Sequence, residues 1–340
     1  MQTLQTTAPR QPCASRKAVI LLAAACLLLV PGVIATYAGD KPLTTVYIGE
    51  EHGGYIYTVG NSIYTSSLTP GSSCNVSFNV TLPEDSTVEF SRLYVYWAWS
   101  RLNQKAIYPV FSVIDTRDPE SPLNLSARYV DSKGFVSNYD FYSGTDAYAL
   151  PGLSPGENHI TINLTQDGPF ESSVLIFGMA ALVVYGSDGE PQQKIWVTEG
   201  CDLMFSSYGI SPDMASSGIV FNGDLDKTVV EDARLFLVAP SGGYSRDLAI
   251  GINALLVNRV EEDKTPPLIS TIFSLLFPNY KGKEWNDIFD LDPVSQIGFE
   301  TKDIRPYLRT EDNRIIVRDQ GDYLQFSNAI LTIREQDVNS

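Results

Sequence analysis

Histidine occurs only at His52 and His159 in these 340 residues, and cysteine only four times. With His52 in a glycine-rich turn and His159 at a strand start, neither a two-histidine metal site nor a histidine-based triad finds its parts. The Gly-x-Ser-x-Gly elbow, the phosphate loop and the dinucleotide fingerprint in a strand-to-helix context are missing too. Carboxylates suffice for a glycosidase pair, but sequence spacing does not locate one. The chain is therefore expected not to be an enzyme. Cations are also scarce. The 24 Lys and Arg stand against 40 Asp and Glu, a net charge of −16, which argues against nucleic acid as a partner.

Long apolar runs are confined to the start of the chain. Arg10, Arg16 and Lys17 precede an apolar stretch from Ala18 to Val30, which Pro31-Gly32 interrupts before small residues at Ala35, Thr36 and Ala38. This is the pattern of a secretory signal peptide, residues 1–38, cleaved after Ala38 or, failing that, after Ala35. The alternative is an uncleaved anchor, since Ala18 to Ile34 approaches the length of a membrane span. No second apolar span follows, so the processed chain is expected outside the cell with no membrane span. Losing three cations and no acid leaves 21 cations against 40 acids, a net charge of −19. Two cysteines remain, Cys74 and Cys201, as disulfide candidates within one chain or between two.

What is abundant points to β-structure. Hydrophobic residues make up 44% of the chain and charged residues 19%, with 18 Tyr and 15 Phe, which excludes a disordered chain. The densest β signal is Thr87 to Ser100, TVEFSRLYVYWAWS. Alternation puts Leu93, Val95, Trp97 and Trp99 on one face and Tyr94, Tyr96 and Ala98 on the other, so both faces should be covered. The same order recurs in Thr228 to Ser241, TVVEDARLFLVAPS, and the segments ending each half also correspond, indicating a divergent duplication. The expected fold is all-β, two tandem jelly-roll-like β-sandwich domains after the signal peptide. The first covers residues 39–187 and the second residues 188–340, with a boundary at Gly186-Ser-Asp-Gly-Glu-Pro. Leu235, Leu237 and Val238 are placed near the second core.

Thr44 to Ile48 and Tyr55 to Val59 look like two short strands joined by a hairpin at Gly49-Glu-Glu-His-Gly-Gly. Thr198-Glu-Gly-Cys-Asp looks like its counterpart, with Cys201 near the tip. Ser73 to Leu82 alternates strictly, with Cys74, Val76, Phe78, Val80 and Leu82 facing in. Four N-glycosylation sequons, at Asn75, Asn79, Asn124 and Asn163, share outward parity, and residues 188 to 340 hold none. Only Thr265 to Phe277 breaks the β pattern. Thr265 at the cap, Pro266 in the first turn and apolar residues at helical spacing predict a short helix, capping the second core or presenting an assembly surface. Asp287, Asp290 and Asp292 resemble an oxygen-rich calcium loop, although the EF-hand glycine and terminal Glu are absent; solvated turn carboxylates are the alternative. Tyr139, Phe141 and Tyr142 could stack on sugars or serve as core and edge residues.

At Lys41-Pro-Leu-Thr-Thr-Val-Tyr-Ile-Gly, Gly53-Gly-Tyr-Ile-Tyr-Thr-Val-Gly-Asn-Ser and Phe90-Ser-Arg-Leu-Tyr-Val-Tyr-Trp-Ala-Trp-Ser, the chain resembles a family of secreted surface proteins of methanogenic archaea that carry a domain of unknown function. The resemblance implies an exported location at the archaeal cell envelope and carries no catalytic residue with it. Together with the absences above, it leads to the expectation of a structural subunit of a sheath or surface layer, with itself as the main partner. The alternative is a protein that binds or adheres to cell-surface carbohydrate.

Overall fold

The computed structural model describes residues 37–101, 108–132, 141–169, 172–207, 209–243, 253–260, 271–272, 275–277, 279–291, 294–321 and 323–336. Trp99, Arg101, Phe141, Asp290 and Leu291 are described by their backbone only. The expected signal peptide lies outside these residues apart from Tyr37 and Ala38. The protein is all-β. Eight strands come first: β1 (Thr44–Thr58), β2 (Ser73–Leu82), β3 (Thr87–Arg101), β4 (Phe111–Asp115), β5 (Leu125–Asp131), β6 (Phe141–Ala149), β7 (Gly156–Gln166) and β8 (Leu175–Gly186). Nine follow: β9 (Gln192–Met204), β10 (Ser216–Phe221), β11 (Val230–Pro240), β12 (Asn253–Val257), β13 (Lys283–Asn286), β14 (Asp290–Leu291), β15 (Ile297–Asp303), β16 (Asn313–Asp319) and β17 (Leu324–Glu335).

The duplication is visible in the strand order. A ten-stranded sheet runs β14-β15-β11-β17-β9-β1-β8-β3-β6-β5, flanked by a three-stranded sheet β2-β7-β4 and a four-stranded sheet β10-β16-β12-β13. Read outward from the centre, β1-β8-β3-β6-β5 in one half corresponds to β9-β17-β11-β15-β14 in the other. The outer sheets correspond as β2-β7-β4 to β10-β16-β12. Orders 1-8-3-6 and 2-7-4 fit a jelly-roll sandwich. All the strand pairings are antiparallel.

Three cores follow from the two-residue period of the strands. Leu93, Val95 and Trp97 of β3 pack with Val76, Phe78 and Val80 of β2 and Ile160, Ile162 and Leu164 of β7. Leu235 and Leu237 of β11 pack with Leu255 of β12 and Ile315 and Val317 of β16. Between the two halves of the large sheet lies a third core, where Tyr94, Tyr96 and Ala98 meet Ile195, Val197, Phe236, Val238 and Ile330. Both faces of β3 are thus covered, and Val238 belongs to the middle core rather than the second sandwich's own. The layers are outer sheet, half-sheet, half-sheet, outer sheet.

The expected boundary at 187/188 falls between β8 and β9, and hydrogen bonding continues past it through β1. Thr44 to His52 pair with β9, whereas Gly53 to Thr58 pair with β8. The two expected hairpins are therefore absent, because β1 and β9 each run straight through their glycines. These glycines serve close approach instead of a turn. A Cβ on Gly53 would lie 2.0 Å from the Tyr185 carbonyl oxygen, and one on Gly200 2.8 Å from Leu43 Cγ. Of the expected helix, Thr271, Ile272, Leu275 and Leu276 are helical, and much of the remainder lies outside the described residues. Its described apolar side chains do not cap the second core. Leu275, Leu276 and Phe277 are 79%, 68% and 57% exposed, while Ile288, Phe289, Ile304 and Leu308 pack into that core.

Candidate functional site

Among the described residues the buried acids are Asp115, Asp131, Asp146, Glu199, Asp202 and Asp319, and Glu199 links the facing halves of the large sheet. Ile195 to Met204 of β9 is buried throughout and carries Glu199 and Asp202 within it. Glu199 Oε1 accepts from Arg92 Nε at 3.2 Å and Tyr94 hydroxyl at 2.9 Å, and Oε2 accepts from Tyr129 hydroxyl at 3.0 Å. Burial first, and the neighbouring Glu199 carboxylate second, push the Tyr94 phenol well above its ordinary value, so it stays a donor. Beside it, Tyr96 hydroxyl donates to Asn328 Oδ1 at 2.7 Å, Asn328 Nδ2 to the Thr198 carbonyl at 3.2 Å, and Thr145 Oγ1 to Ser327 Oγ at 3.0 Å. Each bond joins strands from opposite halves or adjoining strands of the seam. Within the first sandwich, the Arg128 guanidinium forks onto Asp146 at 2.7 and 2.5 Å, and Trp97 Nε1 donates to the same carboxylate at 3.1 Å. Glu199 and Asp146 thus each accept hydrogen bonds on both carboxylate oxygens, which suits cross-linking.

At one end of the seam, Asp40, Asp131 and Asp202 each bring a carboxylate oxygen within 4.8 Å of the others. An oxygen-only set of that spacing suits a hard cation such as calcium. Lys41 Nζ already stands 3.1 Å from Asp131 Oδ1, and Asp131 also accepts the amides of Ser132 at 2.8 Å and Leu203 at 2.8 Å. The cluster thus latches β5 and the segment before β1 onto β9. The expected calcium residues are placed differently. Asp287 is exposed in a left-handed turn (φ 54°), Asp290 begins the edge strand β14, and Asp292 lies outside the described residues.

Three of the four sequons share the outer face of one sheet. Asn75 of β2 stands opposite Asn163 of β7, and Asn79 opposite His159, whose Nδ1 is 2.8 Å from Asn79 Oδ1. Asn75, Asn79 and Asn124 are exposed and Asn163 is half-buried. His52 is exposed on β1, with Nδ1 3.3 Å from the Glu190 carbonyl, and the structure does not bring the two histidines together. Tyr142 stacks on Tyr108 at 4.4 Å; Tyr139 and the Phe141 side chain lie outside the described residues.

Cys74 and Cys201 are not joined in a disulfide. Cys201 is 3% exposed within β9, so the hairpin-tip placement that would have offered it to a neighbouring subunit does not occur. Cys74 packs half-buried against the first core, and burial pushes its thiol up to about 11. Alkylation of Cys74 by iodoacetamide should therefore be slow at pH 8, where only about one thiol in a thousand is ionised, and accelerate up to pH 11. Because the raised value favours the protonated fold, this group's contribution to stability is complete below about pH 9 and is lost between there and pH 11. Rapid alkylation at pH 8 would contradict the burial.

Sequence patterning passed over Glu199, Asp131 and Asp202. With the geometry in place, similarity to other proteins can be assessed. A family described as protein of unknown function, DUF3344, matches residues 36–334. The chain belongs to this family. No curated protein matches this DUF3344 chain. Among solved structures, the major capsid protein P2 of bacteriophage PM2 is 10% identical, over 84% of this chain and 99% of its own, at a TM-score of 0.19. Dimeric latent PorU from Porphyromonas gingivalis is 9% identical over 86% of this chain, which spans 22% of PorU, at a TM-score of 0.26. A chain of the Sputnik virophage is 9% identical, over 86% of this chain and 87% of its own, at 0.19. Superpositions this loose carry no functional argument. Among the described residues, no helix is long and apolar enough to cross a membrane.

Proposed function

We propose that this DUF3344 protein is a secreted structural subunit of an extracellular cell-envelope assembly, of the sheath or surface-layer type in a methanogenic archaeon. The observation that carries this reading is the seam. Glu199, Asn328 and Ser327, together with Asp131, join the two sandwiches instead of lining a cleft, as suits a body that must hold its shape. Sugars on Asn75, Asn79 and Asn163 would keep the β2-β7 face in solvent. The glycan-free half carries the exposed Leu275, Leu276 and Phe277, which fit an apolar contact between subunits whose charge of −19 otherwise drives them apart. A second reading, binding of cell-surface carbohydrate, draws support from Arg259, Arg314 and Arg318, which line one hollow on the second sandwich.

Sedimentation velocity and negative-stain electron microscopy of the purified chain from residue 36 onward test the first reading, at rising protein concentration with calcium or with chelator. Ordered sheets or tubes are expected, abolished by Leu275→Asp with Leu276→Asp. A monomer under every condition would overturn it.

Export also makes a prediction about the leader. Tyr37 accepts the Phe205 amide at 3.1 Å through its carbonyl, and its ring meets Phe205 and Tyr323 at 6.1 and 5.7 Å. Cleavage after Ala38 would strip these contacts, whereas cleavage after Ala35 keeps them. The intact mass of the exported protein is expected to start at Thr36, and a mass starting at Gly39 would show that Tyr37 is dispensable.

A further inference from the structure

The outer face of β10-β16-β12-β13 holds a concavity of about 530 Å³, within the usual range of ligand sites. Its construction can be read from the register. Ile316 of β16 stands between Gly218 of β10 and Leu256 of β12, and Leu256 stands opposite Glu284 of β13. Leu256 and Ile316 point away from the second sandwich's core and, with Ala254, form a small apolar cluster of their own. Gly218 contributes no side chain, so the hollow is open at that point, above a floor in which Leu256 and Ile316 are 2% and 5% exposed. Arg314 and Arg318, two positions to either side of Ile316 on the same face, form the flanks, and Arg259 joins the lining beside Glu284.

Three guanidinium groups around one hollow are unusual in a chain with 24 cations and 40 acids. Among the described residues, Arg92, Arg117, Arg128, Arg234 and Arg334 are each paired with a carboxylate. In the trough the commitments are weaker. Arg318 meets Asp213 at 3.0 Å, but that aspartate's side chain is 83% exposed, and Arg259 stands 3.8 Å from Glu284. Among the described residues Arg314 is exposed and makes no side-chain ion pair or hydrogen bond.

The mixture of groups narrows the ligand. A guanidinium fork suits a carboxylate. Asp213 and Glu284 balance two of the three guanidinium groups and can accept hydroxyl groups, which a glutamate peptide does not offer. A carboxylate and several hydroxyls together describe an acidic sugar. We propose that this trough binds a carboxylate-bearing saccharide, with Arg314 taking the carboxylate and Asp213 and Glu284 accepting ring hydroxyls. The site would tie the protein to acidic surface carbohydrate, and it does not depend on the assembly reading.

Isothermal titration calorimetry of the chain from residue 36 onward tests this with trigalacturonate, the equally linked neutral trisaccharide and triglutamate. Trigalacturonate should bind, with the neutral sugar and the peptide much weaker. Arg314→Ala should weaken it roughly ten- to a hundredfold, the loss of a charge-assisted hydrogen bond. Gly218→Leu should abolish it by filling the trough; a Cβ there would meet nothing nearer than the Ile315 carbonyl oxygen at 3.8 Å, so folding is spared. No binding of trigalacturonate at millimolar concentration would overturn the proposal. So would triglutamate binding equally well, or wild-type affinity in both variants.

Discussion

Trp97→Ala is expected to lower the stability of the protein by about 3–5 kcal/mol, the cost of emptying a large aromatic site in a core that cannot collapse. Trp97 is completely buried among the residues of the first core. It lies over Gly144 of β6, where a Cβ would come within 2.2 Å of the indole Cζ2, so the backbone itself is shaped to the ring. The indole also donates to Asp146, which Arg128 holds in a fork, and the guanidinium lies 5.7 Å from the ring centroid. Removing the ring therefore takes away packing, a hydrogen bond and the platform under an ion pair. Urea unfolding followed by circular dichroism measures the cost. A change below about 1 kcal/mol would mean that Trp97 is not in a packed core.

Glu199→Ala should cost a similar amount, about 3–5 kcal/mol, for a different reason. The side chain is small enough that the void matters little beside what it strands. Arg92, 21% exposed, loses its counter-charge, and the hydroxyls of Tyr94 and Tyr129 lose their acceptor. Tyr94→Phe removes one donor and should cost only about 1–2 kcal/mol. Combining Arg92→Met with Glu199→Leu should restore much of the loss, because the penalty comes from an uncompensated buried charge and not from missing volume. If the double variant is as unstable as Glu199→Ala, the effect lies in packing instead.

The sequence made the repeated central strand legible because alternation over Leu93 to Ala98 and over Leu235 to Val238 leaves few ways to bury both faces. From two such strands at equivalent places came the tandem all-β architecture. Glycine misled where it had two physical uses. At Gly53 and Gly200 it permits crowding at a strand crossing, and local composition cannot distinguish that from a turn. Asp40, Asp131 and Asp202 were illegible for another reason, since no spacing rule joins residues that meet only when β5 and β9 pack together. Likewise the trough depends on the register of three strands, which places Gly218, Ile316 and Leu256 in one row. Ile272 and Leu276 carry the helical periodicity of a core helix, yet they are 48% and 68% exposed while Ile288, Phe289, Ile304 and Leu308 pack into the second core.

At the centre of the account is β1, the strand that leaves β9 and joins β8, making two sandwiches one cooperative body. Hydrogen exchange followed by mass spectrometry through a urea titration tests this directly, using peptides from β3 in the first sandwich and β11 in the second. The two should lose protection together at a single urea concentration, as one unfolding unit requires. Separate midpoints, with one strand exchanging while the other stays protected, would contradict it.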